Sequence, residues 1–237
     1  MVAIVAGIQV GQVRTEGESE AIDSMDRKWK TGFYKFPVTG SVNIHYLGVG
    51  DDEIADLKNH GGVDKAILAY SADHYPTWIG ELHTDDFQMP QHEECNLGAF
   101  GFGAFAENLT IQGLTEENVC IGDRFAVGDV GGDASGVPIL LEVSQPRQPC
   151  WKISRRWRNR TLTKQVGKTG RTGWYLRVLR EGRMTVGDVM TLNSRPHPDW
   201  TIRRANDLLM GREADRYALK ELMALPELAK SWKQSLA

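Results

Sequence analysis

Cysteine is scarce in this chain and never clustered: Cys95, Cys120 and Cys150 are all there is. An odd, scattered set argues against a disulfide framework and for a reducing compartment, so a cytoplasmic location is expected. Long apolar runs are also lacking. No stretch nears the roughly 18 apolar residues that a bilayer-spanning helix needs. The opening segment, Met1 to Ile8, is apolar but carries no leading Lys or Arg, and Gln9 and Gln12 interrupt it. It reads as a first strand and not as a secretion signal. Serine nucleophile elbows, Walker loops and dinucleotide fingerprints are missing too; Gly98, Gly101 and Gly103 do not open a helix after a strand, as a fingerprint must. There is no internal repeat and no low-complexity tract.

Hydrophobic residues make up 41% of the 237, enough for a real core, so wholesale disorder is excluded. Most of the pattern is that of strands. Val2 to Val13 is mostly apolar, and Val42 to Val49 alternates with the period of a half-buried strand. Lys65 to Tyr70 is a further short run. Ser71 can then cap a helix with Tyr75, Trp78, Ile79 and Leu82 at helical spacing. Gly122-Asp123 and Gly187-Asp188 are turns feeding the apolar strands 124–127 and 189–192, with Ile139 to Ser144 and Trp174 to Arg180 as strands between them. Short strands and turns at near-regular spacing predict a closed or nearly closed sheet. Positions 83–104 and 128–138 read as long loops. After Pro198 the character changes: Thr201 caps a helix ended by Gly211, and 217–223 and 226–236 read as two more. The expected organisation is a mainly β domain over 1–195 with peripheral helices, and a helical extension over 196–237. That extension is either a dimerisation element or a solvent-facing cap.

The net charge of −3 hides an asymmetry. From Asp51 to Asp129 there are sixteen acidic residues against three basic; from Arg147 to Arg183 there are twelve basic against one acidic, Glu181. The basic block either attracts an anion such as a phosphate or is a solvated face balancing the acidic half. It begins three residues before Cys150, the sharpest candidate for chemistry. Pro146 and Pro149 stiffen the loop that delivers this cysteine. Arg147, Lys152 and a helix starting near Trp151 would all favour its thiolate. A thiolate is a nucleophile, a redox centre or a soft metal ligand. The alternative is a small buried core residue, which suits Cys120 better.

Three other segments stand out. In Asn59-His60-Gly61-Gly62-Val63-Asp64-Lys65-Ala66 the paired glycines allow close approach of backbone amides to a ligand, His60 and Lys65 add donors, and Asp64 can steady one of them. A plain turn between strands needs Gly-Gly as well. In Phe105-Ala106-Glu107-Asn108-Leu109 the two polar residues either line a pocket or pair with backbone at a strand start. Trp29-Lys30-Thr31-Gly32 sets a cation beside a hydroxyl. His83, His92 and Cys95 have a spacing that fits no common zinc motif. Arg155-Arg156-Trp157-Arg158-Asn159-Arg160 would suit single-stranded nucleic acid, but leaves Cys150 without a role, and no nucleic-acid partner is expected.

Taken together, the motifs at 29–32, 59–66 and 105–109 resemble the MOSC domain family, named after the C-terminal domain of molybdenum cofactor sulfurase, and its bacterial YiiM-type branch most closely. Gly113 to Val119 with Ile121-Gly122-Asp123, Val143 to Lys152 and Gly167 to Trp174 complete the ordered set, and Leu228 to Trp232 resembles the branch's C-terminal extension. The resemblance implies a β-barrel with peripheral helices and binding of the molybdenum cofactor (molybdopterin). It implies Cys150 as the residue that ligates molybdenum or carries sulfur. It further implies an oxidoreductase that reduces N-hydroxylated bases such as 6-hydroxylaminopurine with electrons from a flavoprotein. Lys30, Thr31, Gly61, Gly62, Lys65, Glu107, Asn108 and Arg147 are then expected around the cofactor. His60 and Asp64 join Cys150 as catalytic residues, and His60, Asp64 or Glu107 would supply protons. A sulfur or cofactor carrier with a persulfide on Cys150 is the alternative. Two positions depart from the family pattern: Ala106 stands where relatives usually have Gly, and Val63 where many have Pro.

Overall fold

The computed structural model describes residues 1–82, 100–128, 137–213 and 215–236. His83, His92 and Cys95, and most of the two long loops, lie outside the described residues. The strands, in chain order, are β1 (Val2–Val10), β2 (Arg14–Glu16), β3 (Trp29–Thr31), β4 (Phe36–Pro37), β5 (Val42–His45), β6 (Gly48–Val49), β7 (Ile67–Ser71), β8 (Leu109–Gln112), β9 (Arg124–Val127), β10 (Ile139–Pro146), β11 (Trp174–Arg180), β12 (Gly182–Met184) and β13 (Val189–Ser194). The helices are α1 (Tyr75–Leu82), α2 (Lys152–Arg156), α3 (Leu162–Thr169), α4 (Ile202–Leu209), α5 (Arg216–Ala224) and α6 (Lys230–Leu236).

Seven strands close on themselves in the order β13-β9-β10-β11-β7-β8-β1, with β1 pairing back onto β13. Closure leaves no open edge among these seven, and every neighbouring pair is antiparallel except β7 and β8. The barrel is filled by alternate side chains such as Val5, Ile67, Ile111, Phe125, Leu141 and Leu176, all essentially inaccessible. The reading of 42–49 as a single strand is corrected. Tyr46 and Leu47 are exposed at a tight turn, and β5 and β6 form a hairpin. The alternation ran on through the turn, so spacing alone could not show it.

Helix starts follow their caps. The Ser71 hydroxyl accepts from the Asp73 amide and starts a short 3-10 turn that leads into α1. That helix buries Tyr75, Trp78 and Leu82, whereas Ile79 is exposed. Thr201 caps α4 by accepting from the Arg204 amide, and Asp215 caps α5 from the amides of Tyr217 and Ala218. The tail packs onto the barrel. Trp200, Ile202, Leu222, Leu228 and Trp232 share one hydrophobic core with the barrel strands. The Ala229 amide donates to the Ser144 carbonyl at 3.0 Å, and Arg177 Nη1 to the Glu227 carbonyl at 2.7 Å. A second, aromatic-rich core, including Tyr70, Trp78, Phe105 and Trp157, packs α1, α2 and α3 on the outside of the barrel. No helix among the described residues is long and apolar enough to cross a membrane.

Candidate active site

Chain leaving the ends of strands builds a cleft of about 640 Å³, open to solvent. The end of β3 brings Thr31 and the segment after it Lys35, the segment after β6 brings Asp52 to Asp56, and the turn before β7 brings His60, Gly61 and Lys65. The loop after β10 adds Arg147, Cys150 and Lys152, and Tyr175 rises from β11. Residues 150 and 60, far apart in sequence, thus share one wall. Cys150 is half-buried and unpaired. Its carbonyl accepts from the Ile153 amide at 3.1 Å, so the cysteine lies immediately before the first turn of α2.

His60 is held by local geometry. The Asp56 carboxylate accepts from the Lys58 and Asn59 amides and from the Asn59 side chain, while its carbonyl accepts from the His60 amide at 2.9 Å. Those bonds hold the Asp56 carboxyl below its usual range. The next two residues, Gly61 and Gly62, both have positive φ, 77° and 76°. A Cβ at Gly61 would stand 2.6 Å from the movable Cδ1 of Ile54, so it is the positive φ that favours glycine there. The imidazole Nδ1 lies 3.3 Å from the Tyr175 hydroxyl. Burial, reinforced by Arg147 and Lys152, pushes the His60 pKa down to about 4, so the ring is neutral at ordinary pH. Burial pushes the Tyr175 phenol up to about 12.

Arg147 is 3% exposed, and its Nη2 donates to the Phe105 carbonyl at 3.1 Å. Its Nη1 is buried with no partner among the described residues. Such a group is costly and asks for an anion or other acceptor. Several arginines of the basic block are engaged elsewhere: Arg155 donates to the Met25 and Arg27 carbonyls, and Arg158 and Arg160 pair with Asp26 and Asp23. Arg171 pairs with Glu81 and lies over the Trp78 ring, away from the cleft, although its Nη1 is also buried with no partner among the described residues. Of the basic block over 147–183, the cleft itself takes Arg147 and Lys152, joined by Lys65 from the acidic stretch and by Lys35 from before it. The wall is mixed in sign, since Asp52, Glu53 and Asp56 also line it. Lys35 pairs with Asp52, and burial lowers its pKa against the pull of that partner.

Several expected site residues take other places. Asp64, expected to steady His60 or Lys65 and to move protons, points its carboxylate at Arg177 Nε, 2.6 Å away, and does not line the cleft. Arg177 also binds Glu142, so the pair ties the glycine turn to β10 and β11. Lys65 Nζ donates to the Asn59 carbonyl instead. Glu107 is wholly buried and accepts from the Tyr75 and Thr110 hydroxyls and the Gly103 and Phe105 amides. It braces the 103–110 loop and lies off the cleft wall, its carboxyl raised by burial. Lys30 is exposed on β3, on the face opposite Thr31. Gly62 also falls outside the lining, as the residue before a 3-10 turn. Asn108 does reach the cleft, but its side chain is spent on the Leu68 amide, the Gln9 carbonyl and Asp52. Local spacing missed Lys35, Asp52 and Tyr175. The only available signal for Tyr175 was a phenol near the start of a strand.

A family model described as MOSC domain matches residues 56–191, and one described as YiiM-like, 3-alpha helix domain matches 200–237. The uncharacterized protein YflK of Bacillus subtilis (strain 168) is 35% identical over 92% of this chain and 89% of its own length. A protein named "Reductase" from Gibberella moniliformis (strain M3125 / FGSC 7600) is 35% identical over 83% of this chain, which spans only 31% of that relative. The crystal structure of YiiM from Geobacillus stearothermophilus superposes with a TM-score of 0.71 at 29% identity, covering 99% of this chain and 97% of that one. The MOSC family is associated with molybdenum cofactor binding. Barrel, tail and matched segments agree, and the chain belongs to the MOSC domain family, with the YiiM-like three-helix domain at its C-terminal side.

Proposed function

We propose that this protein is a molybdenum-cofactor-dependent reductase of N-hydroxylated compounds, 6-hydroxylaminopurine being a representative substrate. The observation that carries the reading is Arg147: a buried guanidinium with one unpaired nitrogen on the wall that also presents Cys150. The donor set fits the cofactor. Arg147, Lys152 and Lys65 offer charge-assisted hydrogen bonds to a pterin phosphate, and the Gly61 turn and Thr31 shape the wall beside them. The Cys150 sulfur is the soft ligand suited to molybdenum. When bound, the cofactor supplies a two-electron centre that accepts an oxygen atom.

The reaction converts R–NHOH, two electrons and two protons into R–NH2 and water. The N–O bond breaks, and the electrons come from a flavoprotein. The protein's part is to orient the substrate and to move protons. Asp64 and Glu107 are engaged elsewhere, and neutral His60 is not an acid at ordinary pH. What remains is the Tyr175 hydroxyl bonded to the His60 ring, a pair able to pass a proton from solvent to the departing oxygen.

Protein purified from a cofactor-producing host should carry molybdenum and pterin in about equal amount. Cys150→Ser should lose at least about a thousandfold in hydroxylaminopurine reduction, the scale of removing a principal catalytic group, with an unchanged melting temperature. Folded protein from such a host that is free of metal overturns the reading. An intact mass showing one added sulfur on Cys150, without turnover, would replace it by the carrier role.

A further inference from the structure

The cleft continues past Cys150 into an outer chamber of about 1230 Å³, measured with its solvent-open space. Asp56, His60, Lys65, Cys150, Lys152 and Tyr175 line both compartments. Lys58 and Asn59 extend the turn that carries His60, and the rest of the outer wall comes from two distant parts of the chain. One is the loop after β10, with Gln148 and Trp151; the other is α6, with Ser231, Gln234 and Ser235. We infer that the outer chamber is the substrate subsite, and that Gln148 and Gln234 read the edge of a neutral, planar nitrogen heterocycle. This rests on the reading of the inner cleft given above.

Three observations lead there. The first is position. With Arg147 and Thr31 in the inner compartment committed to the cofactor, the outer one is the space that still adjoins Cys150, His60 and Tyr175. The second is chemistry. The side-chain amides of Gln148 and Gln234 have no hydrogen-bond partner among the described residues. A carboxamide offers a donor and an acceptor side by side, the pattern that pairs bidentately with the adenine edge. Beside them Trp151 is 52% exposed, its indole held between Trp29, 5.5 Å away, and the Arg155 guanidinium, so a fixed aromatic surface stands at the rim. The third is rigidity. Ser231 Oγ bonds Gln145 Oε1 at 3.2 Å, the Ala229 amide bonds the Ser144 carbonyl, and Trp232 is 1% exposed within the barrel's own core. A wall fixed to β10 in this way can select a shape.

Adenine, which has no N–O bond to reduce, is the probe. Its binding to the purified full chain is followed by tryptophan fluorescence, with and without cofactor loaded. Gln148→Ala and Gln234→Ala should each weaken adenine roughly five- to tenfold, and Gln234→Asn should restore part of the loss. In loaded enzyme the same variants should raise KM for 6-hydroxylaminopurine by the same factor. Their kcat and their molybdenum and pterin content should stay as in the parent. Adenine that fails to bind, or binds both alanine variants as well as the parent, overturns the subsite. Binding that behaves as expected in protein unable to hold molybdenum would keep the subsite and overturn the cofactor reading instead.

Discussion

Two parts of one basic block behave oppositely. In 155–160 the arginine partners named above lie in the 23–27 segment, so those guanidiniums stitch α2 to the N-terminal loops. At 147–152 the chain buries Arg147 and leaves one nitrogen without a partner among the described residues, on the cleft that also carries the free thiol of Cys150. Both stretches are purely basic in sequence, four charges in six residues against two; the difference is whether the fold itself consumes the hydrogen-bonding capacity. Function collects where capacity is left over.

Changing a saturated residue should cost stability, and changing an unsaturated one should cost ligand. The largest effect is expected at Glu107, on the saturated side. Glu107→Ala strands four buried donors and should lower unfolding free energy by about 3–5 kcal/mol, read by denaturant melts. Normal stability would break the contrast. Next, Arg147→Ala should reduce the pterin retained on purification by about tenfold or more, while Arg158→Ala leaves it unchanged. Equal losses from both would show that the block acts as a diffuse field.

A smaller effect concerns pH. The folded pKa of His60, about 4, lies below the ordinary imidazole value of 6.5, so between these the unfolded chain binds the extra proton. Stability contributed by the neutral ring is complete above about pH 6.5 and is lost as pH falls toward 4. In His60→Gln the melting temperature should fall less steeply across that window. The smallest change is at Ala106, which lies on the cleft wall with φ 65°. That left-handed conformation is one that glycine adopts without strain. Ala106→Gly should stabilise by up to about 1 kcal/mol, the cost of left-handed φ offset by the entropy of glycine, read as a small rise in melting temperature.

The strands were legible wherever a turn residue announced them. Gly122-Asp123 and Gly187-Asp188 do precede β9 and β13, and Thr201 does cap α4. The 46–47 turn was not, because exposed Tyr46 and Leu47 mimic a continuing strand. In the site, Cys150, His60, Gly61, Lys65 and Arg147 could be singled out because each sits in a segment rich in Gly, Pro or charge. Asp64 and Glu107 sit in equally suggestive segments, yet their partners decide their roles, and the partner of Asp64 lies 113 positions away. Lys35 and Asp52 have no local signature at all; only tertiary pairing makes them a buried ion pair on the cleft wall.

The seam of the barrel sets an order of events during biosynthesis. Val2 to Ile4 find their partners at Val189 to Thr191, and the other flank of β1 waits for β8. Contacts this remote in sequence form slowly, because long loops must close before they are rewarded. Until residue 191 has been made, β1 keeps one flank open to strays. A nascent chain stalled before that point offers an apolar ribbon to its neighbours. Slowed translation of the second half, more than any single substitution at the cleft, is therefore where this protein is most exposed to misassembly.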